Sequence, residues 1–147
     1  MQAGRYSSIL TTILMWTAGL LALVGLAYGE ALPQLSVSDV TVSESSCSSQ
    51  VATFTVSISA PFGRNVTVQF ASADGSAQAG TDYTAVSGGV MFPRGSRAPQ
   101  TITVPVTDVL IPGPDKIFYV NLSNPVNATI SRSEGTATIQ PPPTAKC

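Results

Sequence analysis

The sequence predicts an all-β fold, a seven-strand sandwich preceded by one N-terminal hydrophobic helix. After Glu30, no segment shows helical periodicity, and apolar residues alternate with Ser and Thr over short runs. Gly, Pro and Asn separate these runs at short intervals, as they do between the strands of sandwiches and barrels. About 118 residues follow residue 29, which is enough for one domain with its own core.

The first 29 residues predict export from the cytoplasm. Arg5 precedes residues 6–29, a largely apolar run without any charge. The small-residue ending Ala27-Tyr28-Gly29 resembles a signal-peptidase site, with cleavage before Glu30. The run is also long enough to span a bilayer as an uncleaved anchor, so both interpretations stay open. In either case Arg5 favours an N-terminus that stays inside, which places the rest in the periplasm or outside the cell, secreted or tethered.

Seven alternating runs predict the strands of a domain at 30–140, followed by a Pro-rich tail at 141–147. They are 35–42, 52–58, 66–70, 90–92, 102–106, 118–122 and 137–139. The apolar phase changes inside the first run, which predicts a bulge or a switch of sheet near Ser38-Asp39. The second and third runs are expected to form a hairpin. The number and spacing of the runs are typical of an immunoglobulin-like sandwich.

The inward-facing positions of these runs predict the hydrophobic core. We expect it to contain Phe54, Val56, Ile58, Val66, Val68, Phe70, Ile102, Val104, Phe118, Val120, Leu122 and Ile139.

Composition excludes several classes of function. The chain has no histidine, which removes the commonest general base and metal ligand, and its only lysines, Lys116 and Lys146, lie in no nucleophile motif. We therefore expect no enzymatic activity. Without Arg5 the chain has six basic and eight acidic residues, a net charge of −2. That balance predicts no nucleic-acid partner and no attraction to an anionic membrane, leaving residues 6–29, if uncleaved, as the membrane contact.

Five acidic residues lie in or beside three loops that should meet at one end of the sandwich. They are Glu44, Asp74, Asp82, Asp108 and Asp115. Calcium is held by six to eight oxygen ligands, mainly carboxylates and carbonyls, so a Ca²⁺ site is one interpretation of this cluster. The alternative is that these acids only serve turn geometry, because aspartate side chains bond nearby backbone groups.

Five segments of the chain resemble the Calx-beta domain family. They are LSVSDVTVSE (35–44), VATFTVSISAP (51–61), VTVQFASADGSAQAGTDYTAVSGGVMFPRG (66–95), TITVPVTD (101–108) and IFYVNLSNPVNATI (117–130). The ADG…AGTDY segment followed by F-P-x-G is the most specific of these, and VNLSNP adds to it. The resemblance covers about 35–140 and implies an immunoglobulin-like sandwich with calcium at its acidic loop end. It implies ligand roles for Glu44, Asp74, Asp82 and Asp108.

The loop after the fifth strand departs from the pattern that the resemblance implies. The family reads D-D and then E-x-x-E before an aromatic residue, whereas this chain has Asp108-Val109, Gly113 and Lys116 before Phe118, with Asp115 as the other acid. An ammonium group among carboxylates can neutralise them in place of a cation. We therefore expect weak or absent calcium binding, with Lys116 partly replacing the ion.

The two cysteines, Cys47 and Cys147, predict one disulfide in an exported protein. In sandwiches of this kind the last strand runs parallel to the second half of the first, so both cysteines would follow strands that end at the acidic end. The bridge would close about 100 residues, worth roughly 4.7 kcal/mol in the chain-entropy model. The alternative is a thiol that links to a partner.

Two functions follow from the sequence. The first is a non-enzymatic extracytoplasmic binding or structural module with a protein partner, such as an accessory subunit of a membrane or cell-surface assembly. The alternative is a calcium-binding regulatory or adhesion domain.

Overall fold

The fold consists of nine β-strands in two sheets. The computed structural model describes residues 30–44, 49–107 and 111–144, and from Leu32 onward these belong to one compact unit. The strands are β1 (Gln34–Val37), β2 (Val40–Ser43), β3 (Gln50–Ile58), β4 (Val66–Asp74), β5 (Ser87–Phe92), β6 (Gln100–Val106), β7 (Lys116–Val126), β8 (Thr129–Arg132) and β9 (Glu134–Gln140). The all-β prediction is confirmed. The helix predicted within 1–29 lies outside the described residues, among which no helix could cross a membrane.

The two sheets pack face to face around the core. One has four strands in the order β6-β3-β1-β8, and the other has five in the order β2-β9-β7-β4-β5. The structure has nine strands where seven were predicted, because the first run divides into β1 and β2 and because β8 was not predicted. The hairpin predicted between the second and third runs is wrong, since β3 and β4 belong to different sheets. Alternation of apolar residues identifies the buried face of a strand. It does not identify the neighbouring strand, which depends on the connection between the two strands.

The phase change near Ser38-Asp39 marks a switch of sheet. β1 pairs with β3 in the four-stranded sheet, and β2 pairs in parallel with β9 in the other. Asp39 secures the crossing, because its Oδ1 accepts bonds from Arg132 Nη2 at 2.5 Å and from the Thr136 N–H at 2.8 Å. These bonds lower the pKa of Asp39, with the Arg132 bond as the largest cause.

The predicted core is buried with one exception. Phe54, Val56, Val104, Phe118 and Val120 are all 0% exposed, and the remaining predicted residues are also buried apart from Phe70, which is half-buried beside the edge strand β5. Three aromatic rings meet within the core. The ring of Phe118 contacts Phe54 edge-on at 6.1 Å and stacks on Tyr83 at 4.2 Å between centroids. Tyr83 comes from a loop, so this packing anchors the loop to the sandwich.

Candidate functional site: the acidic loop end

Three connections approach one another at the end of the sandwich where β2, β4, β6 and β9 finish. Ser43 lies beside Gln140, Gln50 beside Val106, and Asp74 beside Phe118 in the strand registers. The β4–β5 loop (75–86) joins the end of β6, because the Thr107 N–H donates to Asp82 O and the Thr84 N–H donates to Pro105 O, both at 2.9 Å. The loops that carry the predicted acids therefore share one end, which we call the acidic end.

The β4–β5 loop is held by its own aspartates. Asp74 Oδ1 accepts the Ala79 N–H at 2.8 Å and the Tyr83 hydroxyl at 2.7 Å. The bond from Tyr83 is the largest cause of a lowered pKa at Asp74. Burial, together with the bond to Asp74, raises the pKa of Tyr83 to about 12. One carboxylate oxygen thus ties the start of the loop to its end.

The glycine of the ADG segment allows the loop to lie against β7. A Cβ added to Gly75 would lie 2.5 Å from the carbonyl oxygen of Ile117. The adjoining backbone is cross-linked there, because the Ala77 N–H donates to Ile117 O and the Ile117 N–H donates to Ser76 Oγ, both at 2.8 Å. The loop can therefore reach this close to β7 only with glycine at this position.

Asp82 is the buried acid to which Lys116 is bound. Its side chain is 2% exposed, and Lys116 Nζ lies 2.6 Å from its Oδ1. The other oxygen, Oδ2, accepts the Gln78 N–H at 2.9 Å. Burial would raise the pKa of Asp82, but the bond from Lys116, the Gln78 N–H and the lysine charge together hold it below the ordinary 3.8. Asp82 is therefore an ionised carboxylate with a protein donor on each oxygen.

Of the other predicted ligands, Glu44 and Asp115 belong to the described residues and Asp108 does not. Glu44 is 2% exposed and follows β2, with its N–H donating to Gln140 O at 2.9 Å. Asp115 is exposed just before β7, and its carboxylate makes no hydrogen bond or ion pair with another described residue. Asp108, Val109 and both cysteines, Cys47 and Cys147, lie outside the described residues, so the disulfide stays a prediction.

The described residues do not fit a calcium ion as they stand. Calcium requires six to eight oxygen ligands with free lone pairs. Here the Lys116 ammonium lies on Asp82 Oδ1, where it would repel a second cation, and Asp74 Oδ1 already accepts two bonds, from the Ala79 N–H and the Tyr83 hydroxyl. Within the described ranges no three acidic or cysteine side chains are grouped closely enough to hold a metal. In this arrangement, N–H, O–H and ammonium groups of the protein stabilise the loop.

Comparison with known proteins identifies the fold. A family model described as the Calx-beta domain matches residues 30–142. The chain belongs to the Calx-beta domain family. The predicted resemblance is confirmed, and the family is one of binding and regulatory modules. Among curated proteins, none matches this sequence significantly.

Solved structures of Calx domains share this architecture. The crystal structure of the apo-form Calx CBD1 domain has a TM-score of 0.63 and 24% identity, covering 75% of this chain and 97% of the other. A second, described as calcium binding domain CBD12 of CALX1.1, has a TM-score of 0.63 and 25% identity over 74% of this chain. The match covers 45% of that longer chain, and 43% of CBD12 from CALX1.2.

Removal of the Tyr83 hydroxyl should loosen the loop measurably. In a Tyr83→Phe variant, Asp74 Oδ1 keeps the Ala79 N–H alone. We expect the free energy of unfolding to fall by about 1–2 kcal/mol. The pKa of Asp74 should rise, and carbon-13 NMR of its carboxyl group measures that rise. Tyr119→Phe is the control, since its phenol makes no hydrogen bond to a described residue. Equal stability in both variants would contradict the assignment.

The stability of the domain at acid pH should depend on the Lys116–Asp82 pair. Because the pKa of Asp82 is lowered by folding, its contribution to stability is full above 3.8 and is lost as pH falls through the lower folded value. In Lys116→Met, burial persists without the ammonium, so the folded pKa should rise and stability should decline from a higher pH. Urea unfolding across acid pH measures this, with Arg64→Gln as the variant that loses one charge elsewhere. Superimposable curves for the Lys116→Met variant and the wild type would contradict the pairing.

Proposed function

We propose that this Calx-beta domain is a non-enzymatic extracytoplasmic binding or structural module whose loop end keeps its shape through Lys116 instead of calcium. The observation that carries the proposal is the 2.6 Å contact between Lys116 Nζ and Asp82 Oδ1. An ammonium at this position neutralises a buried carboxylate, which is the electrostatic task of a bound cation. Such a module presents the same loop surface whether calcium is present or absent.

The proposed place of action is outside the cytoplasm, as an accessory subunit of a membrane or cell-surface assembly with a protein partner. The uncharged run at 6–29 supports export, and the lack of histidine supports a role in binding. Mass analysis of the mature N-terminus tests the location. Cell fractionation completes the test: we expect a chain beginning near Met1 in the membrane fraction or one beginning at Glu30 outside the cytoplasm, and a mature protein found in the cytoplasm would contradict the proposal.

A calcium-binding regulatory or adhesion domain is the competing proposal. It is supported by membership of the family and by two buried acids, Glu44 and Asp82, at the same end of the fold. For that function Lys116 would have to leave Asp82, because its ammonium would repel a calcium ion bound to the same carboxylate. The two proposals therefore differ in what calcium does to this contact.

Thermal unfolding of the full chain with calcium or with a chelator separates the two proposals. We expect the same Tm in both, with magnesium as the control for ionic strength. A ligand at a hundred times its Kd stabilises the folded state by about 2.7 kcal/mol, which raises the Tm of a domain this size by roughly 10 °C. A calcium-specific rise of that size would overturn the proposal and establish the regulatory domain.

A further inference from the structure

The cations of the described part fall into two groups. Lys116 is bound to Asp82 and Arg132 to Asp39. Arg64, Arg94 and Arg97 are instead exposed, and within the described ranges their guanidinium groups make neither an ion pair nor a hydrogen bond. Three positive charges are thus available to an external partner.

These three arginines lie together on two loops that are bonded to each other. Arg64 belongs to the loop at 59–65, and Arg94 and Arg97 belong to the loop at 93–99. The Arg94 N–H donates to Asn65 Oδ1, and the Gly95 N–H donates to Phe62 O, both at 2.9 Å. We call this part of the sandwich the arginine end.

Four of the seven described acids lie at the other end. Strand β4 starts at Val66, beside the arginine loops, and finishes at Asp74, so its nine residues place about 30 Å between the two ends. Glu44, Asp74, Asp82 and Asp115 belong to the acidic end, Asp39 is paired with Arg132, and Glu134 is the first residue of β9. The net charge of −2 therefore conceals an uneven distribution of charge along the fold.

Exposed apolar side chains accompany the arginines. Met91 and Val126 both face Thr67 in the strand registers near the start of β4, and they are 52% and 53% exposed. Leu32 is 48% exposed and lies just before β1. Cationic groups mixed with exposed apolar side chains are the composition of surfaces that bind the headgroup region of a bilayer.

The polypeptide also joins the sandwich at this end. Strand β1 begins at Gln34, whose N–H donates to Ser59 Oγ at 2.9 Å, at the start of an arginine loop. Only residues 30–33 separate the uncharged run at 6–29 from β1, a span of at most about 14 Å. A bilayer anchored through 6–29 would therefore lie close to the arginine end.

We propose that the arginine end docks on the phosphate headgroups of anionic phospholipids. Guanidinium groups bind phosphate oxygens through paired hydrogen bonds, and three of them are free to do so here. Each basic residue near an anionic surface strengthens binding about fivefold, so the three together contribute roughly 100-fold. The short link to 6–29 supplies the high local concentration that so small a patch requires. This surface orients the acidic end away from the membrane, where a partner can reach it.

Amide hydrogen exchange on the full chain tests the docking. The chain is reconstituted in nanodiscs of phosphatidylcholine alone or of phosphatidylcholine mixed with phosphatidylglycerol. We expect slower exchange at 59–65 and 93–99 in the anionic discs, with the difference lost at high salt. Replacing all three arginines by Gln should lower the docking equilibrium roughly 100-fold and abolish the protection, whereas replacing all three by Lys should retain it.

Equal exchange in both kinds of disc would overturn the inference, since it would show that the link to 6–29 alone sets any protection. Protection that survives the change to Gln would also overturn it. The inference uses the tethered location of the proposed function and none of the calcium argument. Mass analysis of the N-terminus reports the tether separately, and a form cleaved before Glu30 that still binds anionic discs would refute the tether while supporting the surface.

Discussion

Replacing Lys116 by glutamate is expected to make the acidic end of this Calx-beta domain depend on calcium. Without calcium, the new carboxylate faces Asp82, which is 2% exposed and has lost its ammonium partner. Removal of one member of a buried ion pair costs about 3 kcal/mol, at the lower end of the usual range because Lys116 is partly exposed. With calcium, both carboxylates gain a shared cation, and we expect a recovery of about 2.7 kcal/mol at a hundred times the Kd.

Thermal unfolding of the Lys116→Glu variant with calcium or a chelator measures this effect. The matched control is Lys116→Met, which removes the ammonium without adding an oxygen ligand and should be destabilised equally in both solutions. If calcium failed to stabilise the Lys116→Glu variant, or stabilised Lys116→Met to the same extent, the idea that a single cation at this position organises the loop end would be wrong.

The largest loss of stability is expected from Gly135→Ala. A Cβ at this position would lie 2.5 Å from the carbonyl oxygen of Ser38 and 3.0 Å from side-chain carbons of Phe54 and Val37. Ser38 belongs to the switch between the sheets, where its N–H and hydroxyl both bond to Thr55. The backbone there cannot yield without breaking these bonds, so we expect a loss of about 3 kcal/mol or more in urea unfolding.

Gly89→Ala is the matched control for Gly135→Ala. Gly89 lies in the edge strand β5, and a Cβ there would meet only the Val68 carbonyl oxygen, at an ordinary 3.8 Å. That change should be neutral or slightly stabilising, because alanine has fewer unfolded conformations than glycine. A Gly135→Ala variant as stable as Gly89→Ala would show that the crossing between the sheets is less tightly packed than described.

Much of the fold follows from alternation of apolar residues, as the buried strands β3, β6 and β7 illustrate. The switch at Ser38-Asp39 was also predictable, because a change of phase must move side chains to the other face. The pairing of β3 could not be predicted in the same way. The alternation of apolar residues in β3 and β4 fits a hairpin as well as it fits two strands in different sheets. Strand β8 was missed because its sequence TISR buries only Ile130, and that only in part.

The acidic end shows the limit of sequence reasoning about a site. Departure from the family pattern singled out Lys116, but the sequence could not place it on Asp82, 34 residues away. Similarly, Asp74 was identified as an acid in a loop, while its bonds to Tyr83 and Ala79 depend on how the loop folds back. The uneven distribution of charge between the two ends could not be predicted either, because the net charge does not say where in the fold the charged residues lie.

The most direct test of the central claim follows the Asp82 carboxyl group of the wild-type chain by carbon-13 NMR during a calcium titration. The account predicts that its chemical shift and its lowered pKa stay unchanged, because Lys116 continues to occupy Oδ1. A saturable calcium-dependent shift of Asp82, accompanied by release of the Lys116 side chain, would contradict it.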